Sequence, residues 1–185
     1  MTEFNIPSVS LIDKNIPSPW ICRYAQFIQA GGQVLDLACG SGRHTRWLAT
    51  NNWKVYAADR NSAALAELQH IPNVLTIVTD LENDIWPFPN DYFDGIIVSR
   101  YLHRPLLSQL IESLQVGGVL IYETFMDGNE HYGRPRNPDF LLRSNELLET
   151  FFPHLTIIAY EQGEFHEPGP AVMQRICAIS KKRNN

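Results

Sequence analysis

Lysine is scarce in this chain and cysteine scarcer. Four lysines and three cysteines (Cys22, Cys39 and Cys177) stand among 185 residues. The cysteines are odd in number and none belongs to a C-x-x-C pair, which argues against a disulfide framework and against structural zinc; no metal is expected. That usage suits a reducing compartment, and the expected location is cytoplasmic. The chain has no basic start followed by an apolar run, so no signal peptide is read. It has no run of about 18 apolar residues, so no membrane partner is expected either. Positive charge is in deficit, with a formal net charge of −5 at pH 7. A general nucleic-acid binder normally carries a basic surface, so none is expected as a partner. Internal repeats and low-complexity tracts are missing too. What remains is an ordinary globular composition, 44% hydrophobic and 19% charged. At this length one domain can bury a sizeable core without staples.

The most informative segment is Val34-Leu35-Asp36-Leu37-Ala38-Cys39-Gly40-Ser41-Gly42-Arg43-His44. It reads as a buried strand running through a carboxylate into small residues and two glycines, with a helical pattern after it. A glycine turn between strand and helix lets the backbone approach a nucleotide closely, because no Cβ intervenes. Asp36 says which kind of nucleotide. A dinucleotide-binding turn has to cradle a pyrophosphate, and a carboxylate there repels phosphate and favours a cationic or amine-bearing ligand.

Alternating elements surround this turn. Residues 1–17 read as an irregular lead-in, and Ser18-Pro19 as the cap and first turn of a helix within 18–31 that Gly31-Gly32 stops. A core over 32–125 then alternates. Strands are predicted at Val34–Leu37, Val55–Ala58, Val74–Val78, Tyr92–Val98 and Val119–Tyr122, and helices at Arg43–Asn51, Asn61–Gln69 and Pro105–Gln115, the last capped by Gly117-Gly118. Such alternation implies βαβ units and a parallel sheet. A loop bearing glycine and proline over 126–143 follows, then a helix at Ser144–Phe151. Leu155–Tyr160 and Val172–Ile179 read as an antiparallel hairpin at a sheet edge, within 144–185.

The turn, with acids at the ends of the next two strands, resembles the class I S-adenosylmethionine-dependent methyltransferases. The resemblance covers roughly residues 18–180, with its specific motifs within 32–125. It implies an α/β fold: a Rossmann-like, mostly parallel seven-stranded sheet with a C-terminal antiparallel hairpin and helices on both faces. S-adenosylmethionine is the implied cofactor, having a sulfonium, an ammonium and no phosphate. By the resemblance, Asp36, Ala38, Cys39, Gly40 and Gly42 meet its methionine end. Asp59 accepts the ribose hydroxyls with Arg60 beside the adenine, and Asp80 with Leu81 reads the adenine edge. Ser99 and Arg100 lie near the methyl group. Arg23, Arg43 and His44 are candidates for the cofactor's carboxylate.

Methyl transfer is an in-line displacement, so the chain's main task is alignment. A base is needed only for a nucleophile that keeps its proton. His103 is the candidate base and Tyr101 the candidate orienting group. Glu123, Tyr132, Arg134 and Arg136 are the candidate substrate residues, the arginines suiting an anion by bidentate pairing. Ser99-Arg100-Tyr101-Leu102 stands where base-amine methyltransferases carry Asn-Pro-Pro-Tyr, and no Pro-Cys pair occurs, so a small-molecule substrate is expected. Two rivals stay open: a non-catalytic, cofactor-binding or partner-activating protein of the same fold, and an NAD(P)-dependent oxidoreductase. Asp36, the missing third glycine and the lack of a Tyr-x-x-x-Lys pair stand against the second.

Overall fold

The computed structural model describes residues 16–166 and 169–181. The lead-in read over 1–17 lies almost wholly outside the described residues. Seven strands form one sheet: β1 (Gln33–Leu37), β2 (Lys54–Asp59), β3 (Val74–Val78), β4 (Phe93–Ser99), β5 (Leu114–Phe125), β6 (Leu155–Phe165) and β7 (Ala171–Ser180). Their order is β3-β2-β1-β4-β5-β7-β6. β1 to β5 are parallel, and β7 runs antiparallel between β5 and β6. This is the expected Rossmann-like sheet with its C-terminal hairpin. Among the described residues no helix is long and apolar enough to cross a membrane.

The central strands are buried along most of their length and mostly apolar because both faces are covered. On one face, α1 (Pro19–Tyr24) and α2 (Arg43–Thr50) bring Trp20, Ile21 and Leu48 against Val34, Val55, Ile97 and Ile121. On the other, α4 (Leu107–Ser113) and α5 (Glu146–Phe151) bring Leu110, Leu147 and Phe151 against Leu35, Ile96 and Leu120. The short α3 (Ser62–Ala66) packs Leu65 beside Ala57 and is capped by the Asn61 side chain, which accepts from Ala64 N–H at 3.1 Å.

Two sequence expectations need correction. The helix predicted over Pro105–Gln115 is a 3₁₀ turn, Arg104–Leu106, followed by α4, which stops at Ser113. Gly117-Gly118 caps no helix. Leu114 already pairs with Phe93, and the two glycines form a bulge before Val119 pairs with Gly95. A Cβ on Gly118 would stand 2.7 Å from the Phe93 carbonyl oxygen, and Gly117 has φ +82°, so a long strand can pass here only through glycine. The hairpin strands also run past their predicted ends. β7 is central, hydrogen-bonded on both sides, whereas β6 alternates as an edge strand does.

Candidate active site

The strand order reverses between β1 and β4, and a crevice opens there beyond the carboxyl ends of the parallel strands. Asp36 lies at its floor, 1% exposed, its Oδ2 accepting from the Thr45 hydroxyl at 2.6 Å. Burial pushes this carboxyl up to about 6, against the hydrogen bond from Thr45. The chain then turns through left-handed backbone at Ala38 and Gly40. A Cβ added to Gly40 would meet nothing within 4 Å, so this glycine leaves open space in the turn. Gly42 differs: a Cβ there would stand 2.6 Å from the Leu68 side chain, so its smallness serves packing within the protein. Cys39 is buried, and desolvation pushes its thiol far up, so it is no nucleophile.

Asp59, at the end of β2, ties the turn in place. Its Oδ2 accepts Gly40 N–H at 2.8 Å and its Oδ1 accepts Asn61 N–H at 2.8 Å. Asp80, after β3, accepts Glu82 N–H and the Asn83 amide, which hold its carboxyl below the usual range, with Arg60 and His103 adding to the shift. Leu81 beside it is buried.

Two chambers occupy the crevice. A chamber of about 340 Å³ is lined by Asp59, Arg60, Asp80 and Leu81 on one side. Tyr101, Thr124, Phe125, Pro135 and Phe140 line its other side. A second, of about 320 Å³, is lined by Asp36, Gly40, Ser41, Arg43, His44 and Ser99. Ala38 and Arg100 belong to both. The phenol oxygen of Tyr101 is buried with no hydrogen-bond partner, and burial pushes the phenol up to about 12, so it keeps its proton. A buried orphan hydroxyl in a chamber wall marks a place for a ligand atom.

Beneath the second chamber lies a buried polar cluster. Glu123 in β5 is 3% exposed. It accepts the Ser18 hydroxyl at 2.8 Å and the Ser99 hydroxyl at 2.9 Å, and Arg175 of β7 approaches it at 3.6 Å. Ser99 in turn accepts from Arg43 at 2.9 Å, and the Arg43 guanidinium stands 4.0 Å from Glu123. Glu123 is therefore buried and partnered inside the protein and lines neither chamber, and the substrate role read from the sequence passes elsewhere. His44 is no cation: burial pushes it down to about 3, and its Nε2 accepts Ser18 N–H at 3.1 Å.

Other expected residues stand apart. Arg23 is exposed, its guanidinium 5.4 Å from the Tyr24 ring centroid, and lines neither chamber. His103 is half-buried at the entry to the 3₁₀ turn and lines neither chamber. Tyr132, Arg134 and Arg136 are exposed and outside both, although Pro135 between the arginines lines the larger one. Tyr132 instead meets Glu164, whose hydrogen bond raises its phenol.

Arg104, to which the sequence reading assigned nothing, holds the 126–143 loop. Its guanidinium grips Glu146 in bidentate fashion at 2.6 and 3.0 Å and donates to the carbonyls of Asp139 at 2.7 Å and Leu141 at 2.8 Å. Met126 and Leu142 bridge at the loop's neck. Only the run of Arg104 after a strand end and Glu146 before an apolar helix hinted at this, and no local pattern joins residues so far apart. Arg104→Ala is expected to cost about 1–2 kcal/mol, because Glu146 keeps only Arg143 as a charged partner. Amide exchange over 137–142 should accelerate in the variant; unchanged exchange there would mean that the loop holds its place without the clamp.

The chemistry of this crevice fits an adenosyl cation. Carboxylates at three strand ends, open space over Gly40 and an arginine held on Ser99 suit ribose, ammonium and carboxylate groups; a pyrophosphate would meet the buried Asp36 charge. Residues 34–118 match the family described as a methyltransferase domain. The chain is 25% identical over 146 residues to the probable S-adenosyl-L-methionine-dependent methyltransferase TehB of Haemophilus influenzae, which covers 73% of this chain and 50% of that protein. The chain spans about half the length of the curated relatives it matches. The crystal structure of TehB from H. influenzae superposes with a TM-score of 0.70 at 24% identity, over 88% of this chain and 61% of that one. A methyltransferase of Methanosarcina mazei gives 0.70 at 17% identity, over 91% and 100%. The 1,6-didemethyltoxoflavin-N1-methyltransferase of Burkholderia thailandensis, solved with its substrate and S-adenosylhomocysteine, gives 0.66 at 17%, over 89% and 77%. Residues 34–118 thus match a methyltransferase domain, and the chain has the fold of S-adenosylmethionine-dependent methyltransferases.

Proposed function

We propose that this chain transfers the methyl group of S-adenosylmethionine to a small-molecule acceptor by in-line displacement. The observation that carries the reading is the pair of chambers meeting at Ala38 and Arg100, one edged by the carboxylates of Asp59 and Asp80, the other by the glycine turn and Arg43. Asp59 would accept the ribose hydroxyls with the lone pairs that Gly40 and Asn61 leave free. Asp80 would take the adenine amine and Leu81 N–H a ring nitrogen. Asp36 would meet the ammonium, and Arg43, braced on Ser99, the carboxylate. When bound, the cofactor supplies a methyl group already activated by positive sulfur. The chain's own work is then to orient the acceptor and exclude water. Tyr101 would orient it through its orphan hydroxyl, as donor. His103 lines neither chamber, and we give it no part.

Calorimetric titration tests the reading. S-adenosylmethionine and S-adenosylhomocysteine should bind at micromolar concentration, and NADH should not. Asp59→Ala should weaken both by about 100-fold, the loss of two hydrogen bonds to a charged group. Because Asp59 also ties Gly40 and Asn61, the variant's thermal midpoint must be read beside its affinity. Tighter binding of NADH would overturn the reading in favour of an oxidoreductase. Adenosyl binding without any acceptor-dependent release of S-adenosylhomocysteine would favour the non-catalytic alternative.

A further inference from the structure

We infer that the methyl acceptor is an organic anion, a carboxylate or phenolate on a flat apolar body, held by Arg100 against the aromatic wall of Phe125 and Phe140. The inference rests on the methyl-transfer reading above and names the acceptor class for it.

Arg100 is held in place by its backbone. It sits in left-handed conformation at φ +56°, and its N–H donates to the Glu123 carbonyl at 2.9 Å. A non-glycine residue adopts this region at a cost, so the surroundings impose it. The side chain is exposed, its guanidinium 5.9 Å from the centroid of the Phe125 ring. Among the described residues no carboxylate forms an ion pair with it. Arg43 next to it is treated differently, bonded to Ser99 and close to Glu123. The wall beneath the second chamber therefore carries one cation braced from inside and one left for something outside the protein.

The position of that free cation decides what it awaits. Under the proposed reading the ribose lies in one chamber and the methionine end in the other. The sulfur that joins them must pass the residues common to both, Ala38 and Arg100. An unpaired guanidinium beside a sulfonium is repulsive in a half-exposed site. A neutral acceptor would leave the repulsion in force, whereas an anionic one lies between the two cations and cancels it. An anionic oxygen there also needs no base. Its lone pair forms the new bond to the methyl carbon while the carbon–sulfur bond breaks and its pair stays on sulfur, so no proton moves.

The rest of the acceptor follows from the wall. Phe125, Pro135 and Phe140 line the same chamber as Arg100, and Phe140 is 46% exposed. Arg104 fixes the loop that carries Pro135 and Phe140 through the carbonyls of Asp139 and Leu141. An inorganic oxyanion would satisfy Arg100 and leave these rings in water. A flat organic body covers them.

Titration of the full chain tests this without a known acceptor. Wild type should bind S-adenosylhomocysteine, which has no positive sulfur, about tenfold more tightly than S-adenosylmethionine, as a like charge one side chain away gives in a half-exposed site. The ratio should fall to near one in Arg100→Gln and persist in Arg100→Lys, which controls for folding and charge. Millimolar benzoate should tighten S-adenosylmethionine binding in wild type, and acetate and sulfate, which satisfy Arg100 but leave the rings uncovered, should do so less. Phe140→Ala should remove the benzoate effect. An unaltered ratio in Arg100→Gln, or sulfate acting as well as benzoate, would overturn the inference. If wild type bound no adenosyl ligand, the methyl-transfer reading would fail first, and this one with it.

Discussion

Glu123→Ala is expected to lower the thermal midpoint by about 10–15 °C. Glu123 is buried among two serine hydroxyls and two guanidiniums, those of Arg43 and Arg175, whose side chains are 14% and 15% exposed. Removing one partner of a buried ionic cluster leaves uncompensated charge and costs about 3–5 kcal/mol. A protein of this size loses about 2–4 °C for each kcal/mol. Glu123→Gln, which keeps an acceptor oxygen for a serine, should lose roughly half as much. The same cluster braces Arg43, so adenosyl affinity should fall in both variants. Calorimetric melting of the three proteins at neutral pH checks this, and an unchanged midpoint in Glu123→Ala would mean that water reaches the arginines.

Asp36→Asn is expected to act in opposite directions on stability and binding. Burial raises this carboxyl to about 6 from an ordinary value of 3.8. The folded protein thus holds the proton more tightly than the unfolded chain. The stability this contributes is full below about pH 4 and is lost as pH rises through about 6. At pH 7 the ionised, buried Asp36 leaves the ligand-free protein about 2–3 kcal/mol less stable than its protonated form. Asparagine cannot ionise and still accepts the Thr45 hydroxyl. Urea midpoints from pH 4 to 8 should therefore decline in wild type and stay flatter in Asp36→Asn, which becomes the more stable protein at pH 7. S-adenosylmethionine would return a cation to this charge, so its affinity in wild type should rise by up to about tenfold per unit between pH 5 and 6. In the variant it should be about 100-fold weaker at pH 7. Parallel urea curves for the two proteins would refute the ionised state.

The expected site was legible where the sequence pattern is local. Asp36, Asp59 and Asp80 each follow or end an apolar run, and a parallel sheet gathers the carboxyl ends of its strands at one edge. Naming strand ends is therefore enough to bring those acids together, and all three line the chambers. Tyr101 and Arg100 came with them, being the residues just beyond β4. Among the candidates that missed the chambers, Tyr132, Arg134 and Arg136 stand on a loop, where no period says which side chain points inward. Ser18 reads as a helix cap, yet its side chain makes no cap bond and donates to Glu123 instead.

What the sequence by itself determined is the order of elements, the two-sided burial of the central strands and the acid-edged glycine turn. Each depends on neighbours within a few residues, through backbone propensity, apolar period and the room that glycine leaves. What only the tertiary structure decided is which charges are spent and which are free. Arg43 and Arg175 share Glu123, with Glu161 as a second acid on Arg175, Arg104 is taken by a loop, and Arg100 is left without an ion pair at the meeting of two chambers. A charge is free or spent according to what lies within a few ångströms of it, and for these side chains that distance is closed by packing β7, α5 and the helix after Ser18 onto the sheet.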